Sequence, residues 1–197
     1  MIGSEMQRQD AVRYLRDCLQ VARLLGSDYM LISPAHAGYD TKPGEIRDRL
    51  YRTCEELAAY AENVGVRIVI EPLTTMESNV FKSANDLIDL FEHVDSDYLL
   101  AMCDIVPPFQ QQEQITSYFN KLGDKLYHLH IIDSNGVDDS HVMPGEGVLP
   151  MPELMREIQD YYRYDRTATI ELVLGYINEP RLYAKRASDN VRAMLEA

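Results

Sequence analysis

The stretch RIVIEP, residues 67–72, decides the fold because a short apolar run ends in an ionisable side chain, Glu71. A continuous run of β-branched and aliphatic residues is typical of a strand buried inside a parallel sheet. An unpaired carboxylate in such a place costs on the order of several kcal/mol, so Glu71 needs a cationic partner. The pattern therefore predicts a buried strand with a charged group of functional interest at its carboxyl end.

Four further runs resemble this one: YMLISPA (29–35), YLLAMCD (98–104), YHLHIID (127–133) and TATIELV (167–173). Three of them carry a polar residue near the carboxyl end, namely Asp104, His130 and Glu171. Counted from Glu71, the successive intervals are 33, 26 and 41 residues. These lengths fit one strand, one crossover helix and two loops. The five runs therefore predict five parallel strands.

The segments between the runs have apolar residues at helical spacing. Helices are predicted over residues 8–25, 47–64, 83–93, 115–122, 152–161 and 181–195. Alternating helices and strands indicate a parallel sheet covered by helices, with ligands bound at the carboxyl ends of the strands. An open doubly wound sheet would spread the four polar residues along a line. A barrel brings them together, so we predict a (β/α)₈ TIM barrel.

The chain has 197 residues and opens on a helix, whereas a whole barrel takes about 250 residues. We therefore predict an N-terminally truncated barrel that keeps about five strands, the fourth to the eighth, as a single partial domain over residues 1–197. The two open sheet edges would be available for pairing with another chain. We accordingly expect a homo-oligomer.

The composition indicates a soluble enzyme of a reducing compartment, which we take to be the cytoplasm. With 19 basic and 32 acidic residues the net charge is −13, so we expect neither nucleic acid nor an anionic membrane as a partner. No apolar run is long enough to cross a bilayer, and no signal peptide pattern opens the chain. The three cysteines show no paired spacing.

Three carboxylates and one imidazole at neighbouring strand ends predict a site for a divalent cation such as Mn²⁺, Co²⁺, Mg²⁺ or Zn²⁺. Each residue also has an ordinary structural explanation. A salt bridge would explain Glu71 or Glu171, and Asp104 can cap the loop that follows it. His130 can be a core histidine, and His128 lies two residues away on the same face of the strand.

Several motifs resemble the xylose-isomerase-like barrels: IVIEPL (68–73), MCDI (102–105), HLHIIDS (128–134), HVMPGEG (141–147) and TIELV (169–173). Within this family the chain is most similar to the epimerases that act on fructoselysine, through LISPAHAGYD (31–40), ESNV (77–80) and NEPRLYA (178–184). The resemblance covers essentially the whole chain. It implies a metal-dependent ketose or ketoamine 3-epimerase that interconverts fructoselysine and psicoselysine by proton transfer at carbon 3, through a cis-enediolate.

The resemblance also implies roles for individual residues. The metal, commonly Mn²⁺ with Co²⁺, Ni²⁺, Mg²⁺ or Zn²⁺ as alternatives, would be held by Glu71, Asp104, His130 and Glu171. The two glutamates would also be the catalytic acid and base on opposite faces of carbon 3. The sugar or sugar-amine substrate would be contacted by Glu77, His141 and His36. The broader group has arginine in place of His141 and histidine in place of Pro107, which indicates a substrate other than a free ketose.

Other functions remain open at this point. A related sugar isomerase or an inosose-type dehydratase shares the barrel and a similar metal site. A truncated barrel can also be inactive and serve only as an interaction module. Endonuclease IV, which has a related barrel, is disfavoured because a chain of net charge −13 lacks the basic groove that DNA requires.

Overall fold

A computed structural model describes residues 3–34 and 36–196 of the chain. Ala35, the last residue of the first predicted run, and the chain ends at Met1, Ile2 and Ala197 lie outside the described residues. The chain divides into two compact units. The first contains residues 3–102 and 121–127, and the second contains residues 103–120 and 128–196. The prediction of a single domain stays a prediction.

Helices and strands alternate along the chain. The α-helices are α1 (Glu5–Leu24), α2 (Pro43–Val64), α3 (Ala84–His93), α4 (Val106–Gln110), α5 (Ser117–Leu122), α6 (Met151–Arg156) and α7 (Pro180–Leu195). The strands are β1 (Tyr29–Ile32), β2 (Arg67–Ile70), β3 (Leu99–Asp104), β4 (Leu126–Ile131), β5 (Asp133–Ser134), β6 (His141–Val142) and β7 (Thr167–Ile170). Short 3₁₀ turns span Gly123–Lys125 and Leu174–Tyr176, and a π-helical turn spans Glu157–Tyr161.

In the first unit, β1, β2 and β3 pair in parallel, with Leu31 opposite Val69 and Val69 opposite Leu100. These three residues belong to an apolar cluster with Met102, and β3 is buried along its whole length. Helices α1 and α2 pack against each other and bury Leu19, Leu50 and Leu57, among others. A fully buried aliphatic strand is what the continuous apolar runs predicted.

In the second unit, β4 pairs in parallel with β7, and His130 lies opposite Thr169. The short strands β5 and β6 form an antiparallel pair, with Ser134 opposite His141. Helix α7 contributes Ala187 to the core of this unit. The first three residues of β7 are exposed.

The predicted alternation of five parallel strands and helices is confirmed, with local corrections. Helix α1 begins before the predicted residue 8 because Ser4 and Gln7 form a reciprocal capping box. Helix α4 and the β5–β6 pair were not predicted, and the single helix predicted over 152–161 changes from α-helical to π-helical geometry at Glu157. Helix α2 ends as predicted at Gly65, whose φ of 76° is accessible to glycine without strain. No helix in the described part of the chain is long and apolar enough to cross a membrane.

Candidate metal centre

Asp104 is the last residue of β3, and its side chain is 4% exposed. Its Oδ1 accepts a hydrogen bond of 2.8 Å from the backbone N–H of Val106, in the first turn of α4. Its Oδ2 faces two imidazoles, with Nδ1 of His130 at 3.7 Å and Nε2 of His141 at 3.6 Å. The capping role that competed with the metal role thus uses one oxygen and leaves the other turned toward the histidines.

His130 and Glu171 come from neighbouring strands of the second unit. The register of β4 and β7 places Ile131 opposite Ile170, and Glu171 follows directly in the chain. Nδ1 of His130 lies 2.8 Å from Oε2 of Glu171. Asp104, His130 and Glu171 each offer one ligand atom, and these atoms lie within 4.8 Å of one another. Three of the four predicted ligands are therefore brought together within this unit.

His141, predicted to contact the substrate, lies against the same carboxylates. Its Nδ1 is 3.3 Å from Oε2 of Glu171, and its Nε2 is 3.4 Å from Oδ1 of Asp139. The β5–β6 pair brings it there, since His141 is the first residue of β6. Asp139 had no role in the sequence interpretation, and its place beside His141 depends on this hairpin.

The ionisable groups of this cluster perturb one another. Burial raises the pKa of Asp104, although contacts with His130 and His141 act in the opposite direction. Hydrogen bonds with His130 and His141 lower the pKa of Glu171. Burial alone would lower the pKa of His141, but its contacts with Asp139 and Glu171 raise it to about 10. The carboxylates of the cluster therefore favour positive charge beside them.

The two histidines of β4 have different roles, because His128 is a core residue that lies outside the cluster of carboxylates. Its Nδ1 lies 2.8 Å from Oγ1 of Thr167, and its side chain is 2% exposed. Burial, with a smaller contribution from neighbouring His130, lowers the pKa of His128 to about 4. A neutral buried imidazole bonded to a hydroxyl needs no metal to explain it.

Asp133 organises the loop that follows β6, a role that the sequence interpretation missed. Its Oδ1 accepts from the backbone N–H groups of Ser134 and Leu149, and its Oδ2 accepts from those of Gly145 and Gly147. All four distances lie between 2.8 and 3.0 Å, and Asp133 is fully buried. The sequence signal was an acidic residue that ends an apolar run eleven residues before a PGEG turn, residues 144–147.

The remaining predicted site residues belong to the first unit. Glu71 directly follows β2, is 9% exposed, and donates its backbone N–H to the carbonyl of Ile32. Glu77 lies in the turn after β2, where its Oε2 accepts from Oγ1 of Thr74 at 2.9 Å. His36 lies in the loop after β1, where its Nδ1 accepts from the N–H of Gly38.

The donor set of the second unit fits a divalent metal. Two carboxylates and an imidazole suit Mn²⁺, Co²⁺ or Zn²⁺. Atoms bound to one such ion at about 2.0–2.2 Å lie at most about 4.4 Å apart, so a separation of up to 4.8 Å needs only small side-chain movements. A cation would also offset the free-energy cost of burying the carboxylate of Asp104, whose Oδ2 does not bond to the backbone of α4.

The chain is similar to curated epimerases, which are isomerases. It is 47% identical over 195 residues to fructoselysine 3-epimerase of Shigella flexneri and to that of Escherichia coli O157:H7. Each alignment covers 99% of this chain and 70% of the relative. Among solved structures, a putative xylose isomerase from Rhodospirillum rubrum superposes with a TM-score of 0.84 at 16% identity, covering 100% of this chain and 71% of the other.

A second solved structure, the IOLI protein with a binding zinc atom, superposes with a TM-score of 0.79 at 18% identity. This alignment covers 97% of the chain and 69% of that protein. A family model described as a xylose isomerase-like TIM barrel matches residues 3–194. The predicted fold is thus confirmed, and the chain belongs to the family of xylose isomerase-like TIM barrels.

Proposed function

We propose that the chain is a divalent-metal-dependent ketose or ketoamine 3-epimerase, with fructoselysine and psicoselysine as its substrate pair. The observation that carries this proposal is the convergence of Asp104, His130 and Glu171, whose ligand atoms lie within 4.8 Å of one another. The 47% identity to fructoselysine 3-epimerases supports the choice of substrate.

We propose Glu71 as the fourth ligand beside these three, with Mn²⁺ as the preferred ion. Its burial at the carboxyl end of β2 supports this assignment, because a carboxylate in that position needs a cation. When bound, the metal acts as a Lewis acid that stabilises negative charge developing on the oxygens of the substrate. The zinc atom in the IOLI structure supports the choice of a divalent ion.

Proton transfer is assigned to Glu71 and Glu171. Inversion at carbon 3 requires removal of a proton from one face and its return to the other, and two carboxylates on opposite faces can do this. One glutamate takes the proton to give an enediolate of the substrate, and the other supplies a proton to the same carbon. The lowered pKa of Glu171 keeps its carboxylate ionised, which is the form that a metal ligand and a general base both require.

His141 is assigned to the substrate, together with Glu77 and His36. The position of His141 beside Asp104 and Glu171 supports contact with the sugar oxygens at the reacting carbon. Glu77 and His36 lie in the loops after β2 and β1, at the ends of the strands where barrel enzymes bind their ligands. A homo-oligomer is part of the proposal, supported by the exposed residues of β7.

The test is isotope exchange at carbon 3. The chain is incubated with Mn²⁺ and fructoselysine in deuterated water, and NMR follows deuterium at carbon 3 and the appearance of psicoselysine. We expect exchange with the wild type and a loss of about 100-fold or more in Glu171→Gln, since general acid–base groups contribute about 10²–10⁴-fold. The exposed Glu153 of α6 gives a matched control, Glu153→Gln, with unchanged exchange. Metal binding without any exchange at carbon 3 contradicts the proposal.

A further inference from the structure

The first unit contains a cavity of about 360 Å³ that none of the proposed catalytic residues line. Its walls come from the loop after β1, the start of α2, the segment after β2 and the exposed side of α3. Its volume is at the lower end of the range for small-molecule sites. It is built in part from segments that follow the carboxyl ends of β1 and β2, which are the ends at which α/β proteins bind their ligands.

The side chain of Asn79 joins the two loops of the cavity. Oδ1 of Asn79 accepts from the N–H of Ala37 at 2.9 Å, and its Nδ2 donates to the carbonyl of Gly38 at 2.8 Å. An amide that satisfies both its donor and its acceptor across two loops holds them at a fixed separation. The cavity is therefore preformed by the fold.

The cavity has apolar and charged parts. Ile46 and Phe81 are buried at 7% and 2% exposure, and the ring of Tyr51 stacks on His93 at 4.4 Å between centroids. Arg47 and Asp89 line the same cavity, and both are exposed. A chain of methylene groups would pack on the apolar part of the cavity. A zwitterionic group, which carries one positive and one negative charge, would match the charged part.

Arg47 and Asp89 are available to a ligand. Neither side chain forms a hydrogen bond or an ion pair with another residue in the described ranges 3–34 and 36–196. Asp86, also in the wall, is already committed, because its Oδ2 accepts from the N–H groups of Lys82 and Ser83 at the start of α3. The opposite charges of Arg47 and Asp89 thus remain for recognition.

We propose that this cavity binds the α-amino acid end of a ketoamine substrate, which rests on the proposed function. Arg47 would pair with the α-carboxylate, Asp89 with the α-ammonium, and the aliphatic stem would lie over Ile46 and Phe81. A guanidinium is suited to a carboxylate because it can donate two parallel hydrogen bonds. The cavity would then make the enzyme prefer a lysine-linked sugar over a free ketose.

The test compares three substrates that differ only at the far end of the linker: fructoselysine, the ketoamine of 1,5-diaminopentane without the carboxylate, and the ketoamine of 6-aminohexanoate without the α-amine. Both kcat/KM and the dissociation constant from calorimetry are measured with the Mn²⁺-loaded chain. We expect Arg47→Gln to lower kcat/KM about tenfold for fructoselysine and to leave the diaminopentane ketoamine unchanged. Asp89→Asn should affect fructoselysine but not the aminohexanoate ketoamine.

The matched control is Arg13→Gln, which removes a positive charge from the exposed side of α1. It should change none of the three substrates. Equal losses on all substrates, no loss at all, or an absence of binding by fructoselysine overturns the inference. Binding that depends on Arg47 in this selective way, without turnover, supports the cavity assignment and contradicts the proposed epimerase activity, so the two failures are distinguishable.

Discussion

The backbone N–H of Gly147 donates to Oδ2 of Asp133 over 3.0 Å, at an approach that leaves no room for a side chain at position 147. A Cβ there would overlap Oδ1 of Asp133 and the carbonyl oxygen of Ser134, both of which are fixed by the fold. We expect Gly147→Ala to lower the free energy of unfolding by about 1–3 kcal/mol, as overpacking in a core does. Urea unfolding followed by circular dichroism measures this change.

Gly44, in the first turn of α2, gives the control for this variant. A Cβ at position 44 would meet nothing within 4 Å, so Gly44→Ala should be neutral or stabilising. If both variants lose the same free energy of unfolding, the close approach of Gly147 to Asp133 is not the reason why a side chain at position 147 is destabilising.

The charge of Asp133 should be needed as well as its shape. In Asp133→Asn, one acceptor oxygen becomes an NH₂ donor that faces the two N–H groups it had bonded. Buried donors left without acceptors cost about 1–3 kcal/mol each, so we expect a loss of at least about 2 kcal/mol. Urea unfolding measures the loss, and amide exchange at Gly145 and Gly147 should rise in parallel. Exchange rates like those of the wild type would show that Asp133 does not hold this loop.

Metal binding should stabilise the folded chain. At a free Mn²⁺ concentration of 100 times the dissociation constant, the free energy of unfolding should rise by about 2.7 kcal/mol. In His130→Leu, which removes an imidazole 2.8 Å from Glu171, the rise at the same Mn²⁺ concentration should fall below about 0.5 kcal/mol. His93→Leu, at the end of α3, should keep the full rise. A similar rise in both variants would remove His130 from the ligand set.

Acid should weaken one ion pair of α1 within a defined range. Hydrogen bonds from Arg8 lower the pKa of Glu5 from 4.5 to about 2. A carboxylate with a depressed pKa in the folded state stabilises the fold above its ordinary pKa, and this contribution is lost as the pH falls from 4.5 toward about 2. The free energy of unfolding of Glu5→Gln should therefore fall less steeply in this range than that of the wild type.

The exposed Glu92 of α3 provides the comparison, because it forms no ion pair with another residue of the described part of the chain. Glu92→Gln should follow the wild-type pH dependence. If Glu5→Gln and Glu92→Gln give the same slope, the contact with Arg8 contributes no measurable stability.

The buried strands and most helices could be predicted from the sequence because periodicity and caps are local signals. Leu99–Asp104 is a clear case, since every residue of β3 is buried. The start of α1 also carries a local signal, the capping-box spacing of Ser4 and Gln7, but the prediction of a helix from residue 8 did not use it.

The parts that could not be predicted depend on contacts between distant segments. The sequence interpretation placed a loop directly after Asp104, yet proline is accepted in the first turn of a helix, and α4 begins there with its first N–H bonded to Asp104. Strands of two residues such as β6 have no periodicity, so the position of His141 beside Asp104 had no local signal. The same holds for the cavity joined by Asn79, which only the fold assembles.

Asp104 divides its two oxygens between the first turn of α4 and the imidazoles of His130 and His141. Any substitution that rotates the start of α4 must therefore also rotate the carboxylate, although the substituted residue touches neither metal nor substrate. Evolution can in this way adjust the reactivity of the proposed centre through Val106 and the prolines behind it, while all of the proposed ligands stay unchanged. Relatives with identical ligands but different residues in this turn would then differ in catalytic rate.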